Sequence, residues 1–260
     1  RWCIMHFWVI KAKHIKLFLL VILTAVLLAI NIEGTNAASV YFGFAPRKVP
    51  IYSVETSEKQ VAITFDSAWG ADKTQGIINI LKEYNANATF FLVGFWVEKY
   101  GDMVKSLDEA GIEIGTHSNT HPDFANLNES QMKLELETSI KLIKDITNKD
   151  VKLFRAPFGS YNNTMLNLAE SMGLTTIQWD VDTLDWKGLR AMEITNRVLN
   201  NVKNGSIILC HNNSDHILDA LPLLLDRLTL KGYKITSVGD LLLKDNYYID
   251  KWGIQKPKAN

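Results

Sequence analysis

The chain has 260 residues, 47% of them hydrophobic and 22% charged, with 28 Lys and Arg against 28 Asp and Glu. This is the composition of an ordinary globular protein, and it excludes a disordered chain, a collagen-like repeat and a disulfide scaffold. Residues 1–32 hold Arg1, Lys11, Lys13 and Lys16 but no acid, leaving 24 basic against 28 acidic residues for the rest, so nothing points to nucleic acid as a partner.

Leu17 to Ile30 is apolar apart from Thr24, with basic residues before it and the small, polar stretch Asn31 to Ser39 after it. Residues 1–39 are therefore expected to be an export segment, either a signal peptide or a membrane anchor. Extended to Ile32, the run makes about 24 Å of helix against a hydrocarbon core of about 30 Å, so cleavage and retention both stay open. The basic residues ahead of the run keep the start of the chain inside and send the remainder across the membrane. Cys3 and Cys210 lie on either side of this run, and no disulfide is expected between them.

Residues 40–60 carry two prolines and no clear period, and are expected to be a linker or lead-in. The domain is expected over residues 61–243. Val61 to Phe65, Ala88 to Val93, Glu113 to Thr116, Leu153 to Arg155, Thr175 to Trp179, Ser206 to Leu209 and Lys234 to Thr236 read as seven strands. Between them lie helical patterns: Met132, Leu136, Ile140 and Ile143 share one face, as do Leu221, Leu224, Leu225 and Leu228. Such alternation implies an α/β fold with a mainly parallel sheet, open or closed into a barrel. Residues 244–260 read as a polar tail.

The residues that end the strands are a biased set. Asp66 follows VAITF, His117 and His121 follow EIGT, Arg155 precedes APFG, Asp180, Asp182 and Asp185 follow TIQW, and His211 follows SIILC. In a parallel α/β fold the chemistry gathers at the C-terminal ends of the strands. A carboxylate, imidazoles and a guanidinium therefore converge on one pocket. The spacing of His117 and His121 suits two imidazoles on one side of a turn, where they can hold a divalent metal such as zinc. Asp66 is either a helix cap or a base, and its pocket neighbours favour the base.

Thr64-Phe65-Asp66-Ser67, Thr116 to His121, Arg155 to Gly159, Asp182 to Lys187 and Ile207 to His211 resemble, in order, the five motifs of the polysaccharide deacetylases, also called carbohydrate esterase family 4, with its NodB-homology domain. The resemblance spans Val61 to Leu243. It implies a distorted, seven-stranded (β/α) barrel, here preceded by one apolar helix, and the leader and first motif look most like the sporulation-associated members. By resemblance, Asp66 is the base that takes a proton from water, Arg155 pairs with Asp66, His211 is the acid and Asp185 orients it. Phe158 supplies an oxyanion-binding N–H, Leu209 and Trp186 line the acetyl pocket, and His117 and His121 hold the metal. One departure stands out: the family carries a second aspartate, a metal ligand, where this chain has Ser67, and a hydroxyl is a far weaker zinc ligand. Asp72 is a conceivable substitute but reads as a helix cap.

The activity implied is N-deacetylation of amino sugars in a cell-wall glycan, peptidoglycan during sporulation, by an exported, monomeric enzyme. The rivals are a catalytically impaired glycan-binding protein on the same fold, kept open by Ser67, and a chitin or xylan deacetylase.

Overall fold

The computed structural model describes residues 12–32 and 47–258. The chain divides into two units, Arg1–Arg47 and Lys48–Asn260. In the first, helix α1 (Ala12–Ile32) runs for 21 residues, and Leu17 to Leu23 are exposed along it. Among the described residues no helix is long and apolar enough to cross a membrane. Residues 1–11 and 33–39 of the expected export segment, Cys3 with them, lie outside the described residues.

The second unit alternates strands and helices. In chain order these are β1 (Ser53–Val54), β2 (Gln60–Ser67), α2 (Thr74–Glu83), β3 (Thr89–Leu92), α3 (Gly94–Lys99), α4 (Gly101–Glu109), β4 (Glu113–Thr116), α5 (Glu129–Thr147), β5 (Leu153–Phe154), α6 (Asn163–Ser171), β6 (Thr175–Thr176), β7 (Val181–Asp182), α7 (Ala191–Asn201), β8 (Ile207–His211), α8 (Ile217–Leu230), β9 (Lys234–Thr236), α9 (Val238–Leu241), β10 (Tyr247–Ile249) and β11 (Ile254–Pro257). Eight strands form one sheet in the order β6-β5-β4-β3-β2-β8-β7, with β9 against the start of β2, and every pairing in it is parallel. The α/β fold with a parallel sheet is thus the expected one. The seven strands expected from the sequence are all present, and Val181–Asp182 is an eighth, too short and too acidic to stand out.

β2 is central, and its residues alternate between two environments. Val61, Ile63 and Phe65 pack into the larger core beneath the helices, with Ile208 and Cys210 of β8. Ala62 packs instead into a smaller inner core with Ile51, Phe91, Ile207 and Val238. Thr64 and Asp66 continue that inner row, since residues two apart on a strand share a face. The register pairs Ala62 with Ile207, Thr64 with Leu209 and Asp66 with His211. The bottom of the row is apolar and the top carries the chemistry. Near-continuous burial on both sides is why β2 and β8 read as apolar runs.

Three expectations are corrected. Residues 244–260 are not a simple polar tail: β10 and β11 pair antiparallel, and β11 pairs in parallel with β1. The lead-in is part of the folded unit from Pro50 onward, since Ile51 is fully buried and bridges Ile177, while Ser53 bridges Ser206. Ile51 also exchanges backbone hydrogen bonds with Thr176 and Gln178. The signal was weak because these strands are only two to four residues long, too short to show a period, and β1 finds β11 far away in sequence. Asp72 is not a cap either, since α2 begins after Lys73 with no side chain capping it.

Candidate active site

The sheet brings Asp66, His117, His121, Phe158, Trp186, Leu209 and His211 to one cavity of about 600 Å³, which Trp69, Trp179 and Asp182 also line. Asp66 is nearly buried at the end of β2 and bonded to the fully buried Arg155, whose Nη1 donates to Asp66 Oδ1 and to Thr64 Oγ1, both at 2.8 Å. The Arg155 Nη2 donates to the Gln178 carbonyl at 3.0 Å, and the guanidinium lies 4.2 Å over the Phe91 ring. Burial pushes the Asp66 carboxyl upward, but Arg155 and the neighbouring histidines outweigh it and hold the group below its ordinary value. Asp66 is therefore an ionised carboxylate at neutral pH. Burial lowers the Arg155 pKa and Asp66 opposes that shift.

His117 and His121 occupy a tight loop after β4, their ring centroids 5.0 Å apart. The loop is held by Glu135 of α5, which accepts from the Asn119 and Thr120 N–H groups at 2.8 and 2.7 Å and from the Thr120 hydroxyl at 2.6 Å. The His121 N–H donates to Ser118 Oγ at 3.0 Å. His117 Nδ1 is 2.8 Å from the Arg155 carbonyl, and since a carbonyl only accepts, Nδ1 carries the hydrogen and Nε2 is the bare nitrogen. This is the tautomer that binds metal, oriented by its outer hydrogen bond. Nε2 lies 3.5 Å from Asp66 Oδ2. Burial depresses the His117 pKa, with Asp66 opposing, and burial together with His117 lowers His121 to about 4. Both rings are neutral at physiological pH, as ligands must be.

On the other side of Asp66, His211 Nδ1–H donates to Asp185 Oδ1 at 2.7 Å, and the His211 backbone N–H donates to Asp185 Oδ2 at 2.8 Å. Burial disfavours the imidazolium, but the Asp185 bond and charge outweigh it, so His211 titrates above its ordinary value. Cys210, the preceding residue, is a free, buried thiol whose pKa burial pushes well up.

Phe158 sits at φ 59°, in the left-handed region that a bulky residue rarely enters. Its N–H makes no hydrogen bond among the described residues, whereas those of Gly159 and Ser160 donate to Ala156 and Pro157. Ser118, His121 and Leu184 are also at positive φ, so four of the seven such non-glycine residues belong to loops around this cavity, the clustering expected where geometry serves a site. Leu209 is buried and Trp186 is exposed at the cavity mouth.

A divalent cation fits this arrangement through two neutral imidazoles, of which His117 has its Nε2 left bare by the Nδ1 bond to Arg155. The residue after Asp66 offers only a hydroxyl, and the Ser67 Oγ is buried with no hydrogen-bond partner. Among the described residues no group of three or more His, Cys, Asp and Glu could hold a metal. The fit is therefore to a two-histidine site lacking the carboxylate that would strengthen it.

The nine residues that the family resemblance assigns to the site stand in or directly behind this cavity, and Asp182 lines it too, whereas Asp180 instead bonds the Ile207 N–H and the Ser206 hydroxyl at the foot of the sheet. Sequence reasoning missed Thr64, legible in principle as the residue two before Asp66 on the same strand face. It also missed Trp69, Trp179 and the clamp by Glu135, which depend on non-local contacts.

The profile of the polysaccharide deacetylase family matches residues 53–177. A peptidoglycan-N-acetylglucosamine deacetylase of Bacillus cereus is 32% identical over 201 residues, covering 76% of this chain and 73% of its own length. Among solved structures, a carbohydrate esterase family 4 pseudoenzyme from Bacillus anthracis superposes with a TM-score of 0.73 at 32% identity, over 76% of this chain and 69% of its own. A mutant of that pseudoenzyme with restored enzymatic activity gives a TM-score of 0.72 at 34% identity, over 76% and 72%.

Proposed function

The chain belongs to the polysaccharide deacetylase family, and from that premise we propose that it hydrolyses the N-acetyl groups of amino sugars in peptidoglycan, outside the membrane and in spore formation. The observation that carries the reading is the register pair Asp66 and His211 on adjacent strands, each backed by a partner of opposite charge, Arg155 and Asp185. Binding alone needs no such pair, whereas amide hydrolysis needs one group to take a proton and another to give one.

His117 and His121 are the residues to hold a divalent metal, zinc by the chemistry of imidazole ligands. When bound it supplies Lewis acidity for the acetamide carbonyl and for water. Asp66, ionised and aimed by Arg155, takes the proton of the attacking water. The Phe158 N–H donates to the oxyanion that forms at the carbonyl carbon. His211, kept protonated by Asp185, gives its proton to the departing amine, and Leu209 with Trp186 receives the acetyl methyl. The basic residues before α1 and the apolar run support export, whether the segment is cleaved or retained.

Acetate release from peptidoglycan by the full chain with zinc or cobalt tests the reading. Asp66→Asn and His211→Ala should each abolish it. No acetate from the parent chain with either metal, while it still binds the glycan, establishes the second reading, a glycan-binding protein without turnover. That alternative is favoured by the unpartnered Ser67 hydroxyl and the likeness to a pseudoenzyme.

A further inference from the structure

Trp69 is an exposed tryptophan on a rigid support. Its side chain is 59% exposed, its ring is 5.2 Å from His121 and 6.4 Å from Phe95, and it lines the cavity that holds Asp66 and His211. Its indole N–H makes no hydrogen bond among the described residues. The next residue anchors its loop. Gly70 takes a φ of +63°, which suits glycine, and its carbonyl accepts two donors, the Trp96 indole N–H at 2.7 Å and the Asn212 Nδ2 at 2.8 Å. Asn212 follows His211, is fully buried and also donates to Thr74 Oγ1 at 3.1 Å. The backbone of the loop carrying Trp69 is thus tied to the loop that follows His211.

An exposed aromatic at the rim of a largely apolar cavity that also holds Asp66 and His211 is suited to a ligand with both an apolar face and polar groups. It is one of three, since Phe158 at 71% and Trp186 at 59% exposure share the same mouth. Trp69 leaves from β2 and Trp186 from the end of β7, two strands apart in the sheet, a separation of about 10 Å at the strand ends. That is wider than one pyranose ring. A pyranose presents an apolar C–H face that packs on an aromatic ring and a polar edge of hydroxyls that can meet an indole N–H.

Resting on the deacetylase reading above, we propose that Trp69 is the stacking platform for a sugar next to the one being deacetylated, so that the site selects an oligosaccharide over a single N-acetylated sugar. The contact with His121 places the platform on the side of the two imidazoles, and Phe95 backs the ring.

The test compares the full chain with Trp69→Ala and Trp69→Phe, titrated calorimetrically with N-acetylated chitotetraose, with N-acetylglucosamine and with zinc. Trp69→Ala should weaken the tetrasaccharide about tenfold, the scale of one aromatic contact, and Trp69→Phe should recover most of it. In turnover the loss should fall mainly on KM, and the preference for tetrasaccharide over monosaccharide should shrink. Equal tetrasaccharide affinity in parent and Trp69→Ala overturns the platform while leaving the deacetylase reading intact. Zinc affinity that falls in step with the glycan also overturns it, because Trp69 would then merely prop His121. A parent chain that neither binds nor deacetylates the tetrasaccharide overturns both.

Discussion

Asp185 grips His211 at two points, one carboxylate oxygen on the ring Nδ1–H at 2.7 Å and the other on the backbone N–H at 2.8 Å. The ring cannot rotate without losing the first bond, and the strand end cannot shift without losing the second. The same carboxylate outweighs the burial that would otherwise lower the His211 pKa.

Replacing that partner should therefore move the acid's titration. In Asp185→Asn the main charge opposing burial is gone and only Asp66 and Asp182 still raise the group, so the His211 pKa falls and the alkaline limb of the rate profile shifts to lower pH. His211→Ala should depress turnover of amides much more than of activated esters, whose leaving groups need no proton. A profile of unchanged shape in Asp185→Asn, or equal losses on esters and amides in a folded His211→Ala, removes His211 from the acid role.

Metal affinity should respond to the residue after Asp66. Ser67→Asp supplies a charged oxygen where the chain has a buried, unpartnered hydroxyl, so zinc and cobalt should bind more tightly, while His117→Ala and His121→Ala should weaken them. Isothermal titration decides the point. Identical affinity in all four proteins means the two imidazoles are not ligands.

The Asp66–Arg155 pair should matter for stability as well. Arg155→Met leaves a buried carboxylate without its cation, a loss of about 3–5 kcal/mol at neutral pH. In the parent chain burial pushes the Asp66 pKa up but Arg155 outweighs it, so the folded value is below the unfolded one. The stabilisation is therefore complete above the unfolded pKa of about 3.9 and is lost as pH falls through the folded value. In the variant burial prevails, Asp66 takes up a proton more readily, and the gap between the two proteins should narrow from pH 7 to pH 4. Urea unfolding at both pH values measures it, and an equal gap would assign the loss to packing over Phe91 instead.

Much of this architecture is legible because β3 and β8 are buried almost throughout, as is β2 after Gln60, and β4 is buried at its C-terminal end, so the titratable residues at the ends of these strands stand out. Asp66, His117 and His211 are visible for that reason. Val181–Asp182 is not, because two residues show no period, and neither is the pairing of β1 with β11, whose partners are about 200 residues apart. The Glu135 clamp looks like any acid on the wet face of α5 until the loop after β4 is laid over it. The exposure of Trp69 is not legible either, since it depends on how the loop after β2 is seated against Trp96 and Asn212.

Export is testable in intact cells. The basic residues ahead of the apolar run should place residues 40–260 beyond the cytoplasmic membrane, so protease added to protoplasts should digest the domain. Complete protection, with the protein in the cytosolic fraction, contradicts export.

The parallel pairing of Ser53 with Ile254 and Val54 with Gln255 bears on the order in which such a chain can finish folding. A polypeptide threaded N-terminus first through a membrane delivers β1 early and β11 last. The large sheet can gather β2 through β9 as they emerge, yet β1 has no strand partner in the small sheet until β11 has emerged. Under the proposed export, completion of the fold waits at this seam for β11. A chain stalled before Ile254 would expose an unpaired strand beside the buried Ile51, a form that a protease can distinguish from the finished protein.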